Sequence, residues 1–81
     1  YTLEDAETAL RLLRPVEWSA GVEPINGTTV HFSPAGHLLG AASVLLKTAN
    51  ERILFSGDLG RPDDPMLRAP AARPEADAVV I

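Results

Sequence analysis

The chain has 81 residues, no cysteine and a net charge of −4, which limits it to one domain at most and excludes a disulfide framework or a thiolate metal site. A surface that holds nucleic acid by bulk positive charge is also excluded, because phosphate binding needs clustered Lys and Arg; a site where metal ions supply the charge is not. No apolar run is long enough for a transmembrane helix, and the acidic start Tyr1-Thr2-Leu3-Glu4-Asp5 lacks a signal-peptide layout, so a cytoplasmic location without a membrane partner is expected.

Residues 2 to 13 are predicted to be helical. Thr2 can cap the helix, and Asp5 three positions later resembles a capping box with Asp in place of Glu. Leu3, Ala6, Leu10 and Leu13 recur at helical spacing and form one apolar stripe. Glu4, Asp5 and Glu7 lead and Arg11 and Arg14 trail, an order that complements the helix dipole; Pro15 then stops the helix. Val16 to Trp18 is expected as a short edge strand. Ser19 to Gly27 reads as a loop, on Gly21, Pro24 and the turn pair Asn26-Gly27. Asn26-Gly27-Thr28 has the form of a glycosylation acceptor, but without a secretory signal it is read as a chance match.

Thr28 to Ser33 alternates, with Val30 and Phe32 opposed to Thr29, His31 and Ser33, as a half-buried strand does. Ala42 to Thr48 and Arg52 to Ser56 are two more strands. Ala49-Asn50 joins them in a hairpin, on the argument that Asn tolerates the left-handed backbone tight hairpins require. Pro62, Pro65, Pro70 and Pro74 rule out a central strand between 57 and 76 and leave an extended loop. Ala78 to Ile81 is apolar on both faces and is predicted as a fully buried strand.

Two loops stand out for chemistry. His37 follows a strand and lies between Gly36 and Gly40; neutral imidazole is the commonest protein metal ligand. Asp58 ends the next hairpin between Gly57 and Gly60, and a carboxylate with two oxygens can bridge two metal ions. With no cysteine, any metal must be held by His and carboxylate, which suits zinc, iron or manganese. The outgoing strand of about 6–7 residues and the returning one of about 5 are nearly equal paths at ~3.3 Å per residue, so His37 and Asp58 are expected to be neighbours. His31 lies mid-strand and is read as structural or exposed. Asp63-Asp64 is read as a solvated turn pair. Ser56-Gly57 lacks the pattern of a nucleophile elbow, and no phosphate-binding glycine motif is present.

The stretches Ser33-Pro34-Ala35-Gly36-His37-Leu38-Leu39-Gly40-Ala41-Ala42 and Phe55-Ser56-Gly57-Asp58-Leu59-Gly60-Arg61 resemble the metallo-β-lactamase fold in its β-CASP branch of RNA-processing nucleases. The order of opening helix, Arg14-Pro15-Val16 passage, hairpin and final strand is similar as well, so the resemblance covers essentially the whole chain. It implies an α+β fold, a piece of an αββα sandwich with the N-terminal helix packed on a mostly antiparallel sheet. It implies that His37 is a zinc ligand and Asp58 a carboxylate bridging two zinc ions, both catalytic, with RNA as the substrate. Other hydrolases of the superfamily and non-catalytic pseudo-nuclease scaffolds are the alternatives.

The family's first-motif Asp and its His-x-His-x-Asp-His cluster are absent, as are the acidic residue after the last strand and the β-CASP insert. The start without Met and the apolar ending Val79-Val80-Ile81 agree with that. Residues 1 to 81 are therefore expected to be a single partial domain, ending just before the insert. The sheet face that a partner sheet covers in the fold is expected to be exposed, apolar and prone to self-association. Sedimentation of the isolated chain at rising concentration should show that association; a concentration-independent monomer would contradict it. Calorimetric titration should show weak zinc binding or none, and tight stoichiometric binding would contradict the reading of an incomplete ligand set.

Overall fold

The computed structural model describes residues 1–18 and 20–81; the expected loop from Ser19 to Gly27 begins at a residue outside this set. The helix α1, Leu3–Leu12, starts with the capping box legible in the sequence: the Asp5 amide donates to the Thr2 hydroxyl, and the Asp5 carboxylate accepts from the Thr2 amide. Arg14 donates to the carbonyls of Arg11 and Leu13 at the other end, where the last turn leaves acceptors unpaired. Leu13 is already extended, as a residue two before Pro15 allows.

Among the described residues five strands follow: β1 Gly21–Ile25, β2 Thr28–Pro34, β3 Ala42–Lys47, β4 Arg52–Phe55 and β5 Ala78–Val80. They form one sheet in sequence order, antiparallel from β1 to β4, with β5 parallel to β4. The α+β class and the mostly antiparallel sheet are as expected. The packing of the helix on the sheet is not: among the described residues α1 contacts no strand, and Leu3, Leu10, Leu12 and Leu13 are exposed. Leu13 leaves the helix in extended backbone, and Leu3, Leu10 and Leu13 of the stripe are left in solvent while Ala6 is half-buried.

The expected strand at Val16 to Trp18 is absent, and the expected loop after it holds β1 instead. Asn26-Gly27 is the two-residue turn of a β1–β2 hairpin, with Ile25 opposite Thr28. Gly27 takes φ +79°, and its amide donates to the Glu23 carboxylate. Pro24 argues against a strand, but it is tolerated here because β1 is an edge strand with a register irregularity between Val22 and Ile25. The β3–β4 hairpin is correct, but its mechanism differs from the expected one. No residue other than glycine has positive φ among the described residues, so Asn50 is not left-handed. The Thr48 hydroxyl closes the turn instead, accepting from the Asn50 and Glu51 amides.

Register sorts the side chains. Val30, Leu46 and Ile53 stand in one cross-strand row, and Phe32, Val44 and Phe55 in the next. The opposite face carries His31, Leu45, Leu54 and Val79. Leu45 and Leu54 are 6% and 5% exposed, each burial stabilising by about 1.5–3 kcal/mol. The proline-rich segment after Gly57 runs beside the Ser33, Ser43 and Leu54 positions of this face, and a cavity of about 520 Å³ lies between them. Phe55 and Val80 on the other face are 39% and 48% exposed, and Val79 is 55% exposed. β5 is therefore an exposed edge strand and not the fully buried one expected.

Two contacts fix the chain around the sheet. The Gly60 amide donates to the Ala35 carbonyl at 2.8 Å, and a Cβ on Gly60 would fall on the Gly36 carbonyl. Gly60→Ala should cost about 3 kcal/mol or more in urea unfolding, by overpacking against rigid backbone. Gly27→Ala, with positive φ but open space around it, should cost about 1 kcal/mol.

Asp77 ties the β4–β5 edge together: its carboxylate accepts from the Arg52 amide at 2.7 Å, and its amide donates to the Arg52 carbonyl. That amide bond first, and the Arg52 guanidinium second, hold the Asp77 carboxyl below the usual carboxylate range. A depressed folded-state pKa stabilises above the unfolded value near ~4 and loses that contribution as pH falls through the folded one. Thermal melts between neutral pH and about pH 3 should thus lose less stability in Asp77→Asn than in the unsubstituted chain.

Candidate metal centre

β2 and β4 lie on either side of β3 and run in the same direction, because each pairs antiparallel with it. Their C-terminal ends therefore open at the same edge of the sheet. The loop after β2 is pinned by Ala35, 1% exposed, whose amide donates to the Ala41 carbonyl, while the Ala41 amide donates to that of Leu38. Gly36 takes φ +69°, and a Cβ there would lie 2.8 Å from the Arg68 carbonyl oxygen. Only glycine meets both demands. The loop after β4 is held at its root: the Ser56 amide donates to the Val80 carbonyl, and the Ser43 hydroxyl donates to the Ser56 carbonyl at 2.8 Å.

The Gly60–Ala35 hydrogen bond then joins the two loops directly. The outcome is the predicted juxtaposition: His37 Nε2 lies 3.8 Å from Asp58 Oδ2. Both side chains are open to solvent, 45% and 88% exposed. Two ligands of one tetrahedral zinc, at about 2.0–2.2 Å each, stand about 3.4 Å apart, within a small side-chain adjustment of the observed spacing. Imidazole nitrogen and carboxylate oxygen are also the right donors. The pair fits as part of a metal centre and no more: among the described residues, no group of three or more His, Cys, Asp or Glu is placed to hold a metal ion.

His31 is not brought to this pair. It faces Leu45 across the β2–β3 pairing, and its ring lies against Gly21, where a Cβ would sit 2.8 Å from His31 Cε1. The structural reading of His31 fits that position. The turn pair divides. Asp63 is exposed, as expected, but Asp64 is only 20% exposed in its side chain and accepts from the Met66 and Leu67 amides. Those two bonds first, and the Arg61 guanidinium after them, hold its carboxyl below the usual range. Sequence reasoning missed Asp64 because a turn Asp before Pro65 has the same local signature whether solvated or clamped. It missed Ser43 because a small hydroxyl on a strand gives no sign of its partner.

No family model matches the chain. It is 36% identical over 77 residues to ribonuclease TTHA0252 of Thermus thermophilus, a match covering 95% of this chain and 18% of that protein. It is 31% identical over 81 residues to endoribonuclease YSH1 of Kluyveromyces lactis, covering 100% of this chain and 10% of that protein. It is 35% identical over 66 residues to cleavage and polyadenylation specificity factor subunit 3-I of Arabidopsis thaliana, covering 82% of this chain and 9% of that protein. The chain is thus similar to one segment of proteins named ribonuclease, endoribonuclease and cleavage and polyadenylation specificity factor subunit. It spans less than a fifth of the length of these relatives.

Proposed function

We propose that this chain is one segment of a metal-dependent ribonuclease of the RNA 3′-end-processing type, in which His37 and Asp58 are ligands of a two-zinc centre. One observation carries the reading: in a chain homologous to proteins named ribonucleases, the two motif side chains meet at 3.8 Å on backbone-locked loops. When bound, the metals supply an activated water or hydroxide and positive charge against the phosphoryl oxygens. This chain's own contribution is placement. His37 offers Nε2, Asp58 offers two carboxylate oxygens, and the Gly60–Ala35 bond keeps the two loops at one spacing.

The names of the relatives favour RNA over the other substrates of the superfamily, and two intact ligand side chains favour an enzyme over a scaffold. The single layer fits a partial domain. The face bearing Phe32, Val44 and Phe55 is apolar, and Phe55 on it is 39% exposed, as it would be if further parts of the same protein pack there, and isolated copies would associate through it. Alone, with two donor residues, the chain is inactive in this reading.

The test uses the full-length protein that carries the segment. His37→Ala and Asp58→Asn should each lower RNA cleavage by at least ~100-fold, more than the usual loss from a residue one layer out from a metal, and should lower the bound zinc per protein. Cleavage within twofold of the unsubstituted enzyme in both variants would overturn the assignment.

A further inference from the structure

Residues 61–71 form a strap over the His37 loop. One end is fixed where the Gly60 amide meets the Ala35 carbonyl at 2.8 Å, and the other where the Ala71 amide meets the Pro34 carbonyl at 2.9 Å. Between these anchors the strap lies directly on Gly36: a Cβ at that position would stand 2.8 Å from both the Arg68 carbonyl oxygen and Pro70 Cδ. The residue next to Gly36 is His37. The strap has no regular secondary structure, and Pro62, Pro65 and Pro70 offer no amide donors. Among the described residues, the hydrogen bonds found inside it are the two that Asp64 Oδ1 accepts, from Met66 and Leu67 at 2.9 Å each. Asp64 Oδ2 adds an ion pair with Arg61 Nη2 at 3.7 Å.

We propose that Asp64 is a positioning residue: by ordering the strap over Gly36, it holds the His37 loop at its place beside Asp58. Among the described residues, no hydrogen bond or ion pair joins the carboxylate to His37 or Asp58. It shapes the turn that delivers the Arg68 carbonyl and Pro70 onto Gly36, and Gly36 has no side chain to fill the gap if the strap lifts. Its effect on cleavage rests on the metal-centre reading above; its effect on the loop does not.

The experiment compares Asp64→Ala with Asp64→Asn, which keeps an oxygen for the two amides, in the full-length protein. Hydrogen-exchange mass spectrometry of the metal-free protein reads the loop directly. In Asp64→Ala, peptides covering 34–41 should exchange severalfold faster while those covering 43–55 do not change; Asp64→Asn should match the unsubstituted protein. Faster exchange confined to 61–71 would overturn the proposal. Cleavage gives the second readout: Asp64→Ala should lower kcat about 10- to 100-fold with KM within about twofold, and Asp64→Asn should restore most of it. Full kcat in Asp64→Ala, beside an inactive Asp58→Asn control, overturns the proposal and leaves the ribonuclease reading standing. An active Asp58→Asn control overturns that reading instead, while the exchange result still decides the role of the strap. Should Asp64→Ala fail to fold, Asp64→Ser, which retains a shorter acceptor, carries the same comparison.

Discussion

The hydrogen bond from the Gly60 amide to the Ala35 carbonyl is the constraint on which the rest of this structure turns. It brings two loop backbones so close that no side chain fits between them, since a Cβ on Gly60 would coincide with the Gly36 carbonyl. Backbone-to-backbone contact of this kind places side chains more firmly than side-chain packing does, because neither partner has rotamers to lose. His37 and Asp58 each lie within two residues of that contact. Their spacing follows from the main chain, not from attraction between an imidazole and a carboxylate that are both well solvated.

The sheet beneath is a frame with one side finished. Leu45 and Leu54 are buried, Leu54 beside the proline-rich segment, and Ser43 reaches across to secure the Ser56 carbonyl at the root of the Asp58 loop. On the other side, Phe55 and Val80 remain well exposed, and α1 does not cover them. A single sheet that buries only one face has little hydrophobic stabilisation to set against chain entropy. The local hydrogen-bonding devices therefore matter more than they would in a full sandwich: the Thr2–Asp5 capping box, the Thr48 turn and the Asp77 clamp on Arg52.

Much of this was legible in the residues. The capping box, the alternation in β2 and the β3–β4 hairpin follow from local rules with periods of 3.6 and 2, and equal strand lengths were enough to place His37 beside Asp58. The errors have physical causes. Pro24 argued against a strand, but an edge strand with an irregular register accepts it. Asn50 suggested a left-handed turn, but the Thr48 hydroxyl supplied another way to close it. The Leu stripe of α1 and the apolar Ala78-Val79-Val80 run both promised burial, and neither found a covering layer in this chain.

By itself, then, the sequence determined the elements that local hydrogen bonding and side-chain periodicity control, and through two glycine-rich motifs it pointed to the ribonuclease likeness and the pair of side chains to watch. Only the tertiary structure decided which glycines are in backbone contact, which of two adjacent aspartates is clamped, and which apolar faces are covered. Those depend on residues far apart in the chain meeting in space, as Gly36 meets Arg68 and Pro70, and no local pattern records such meetings.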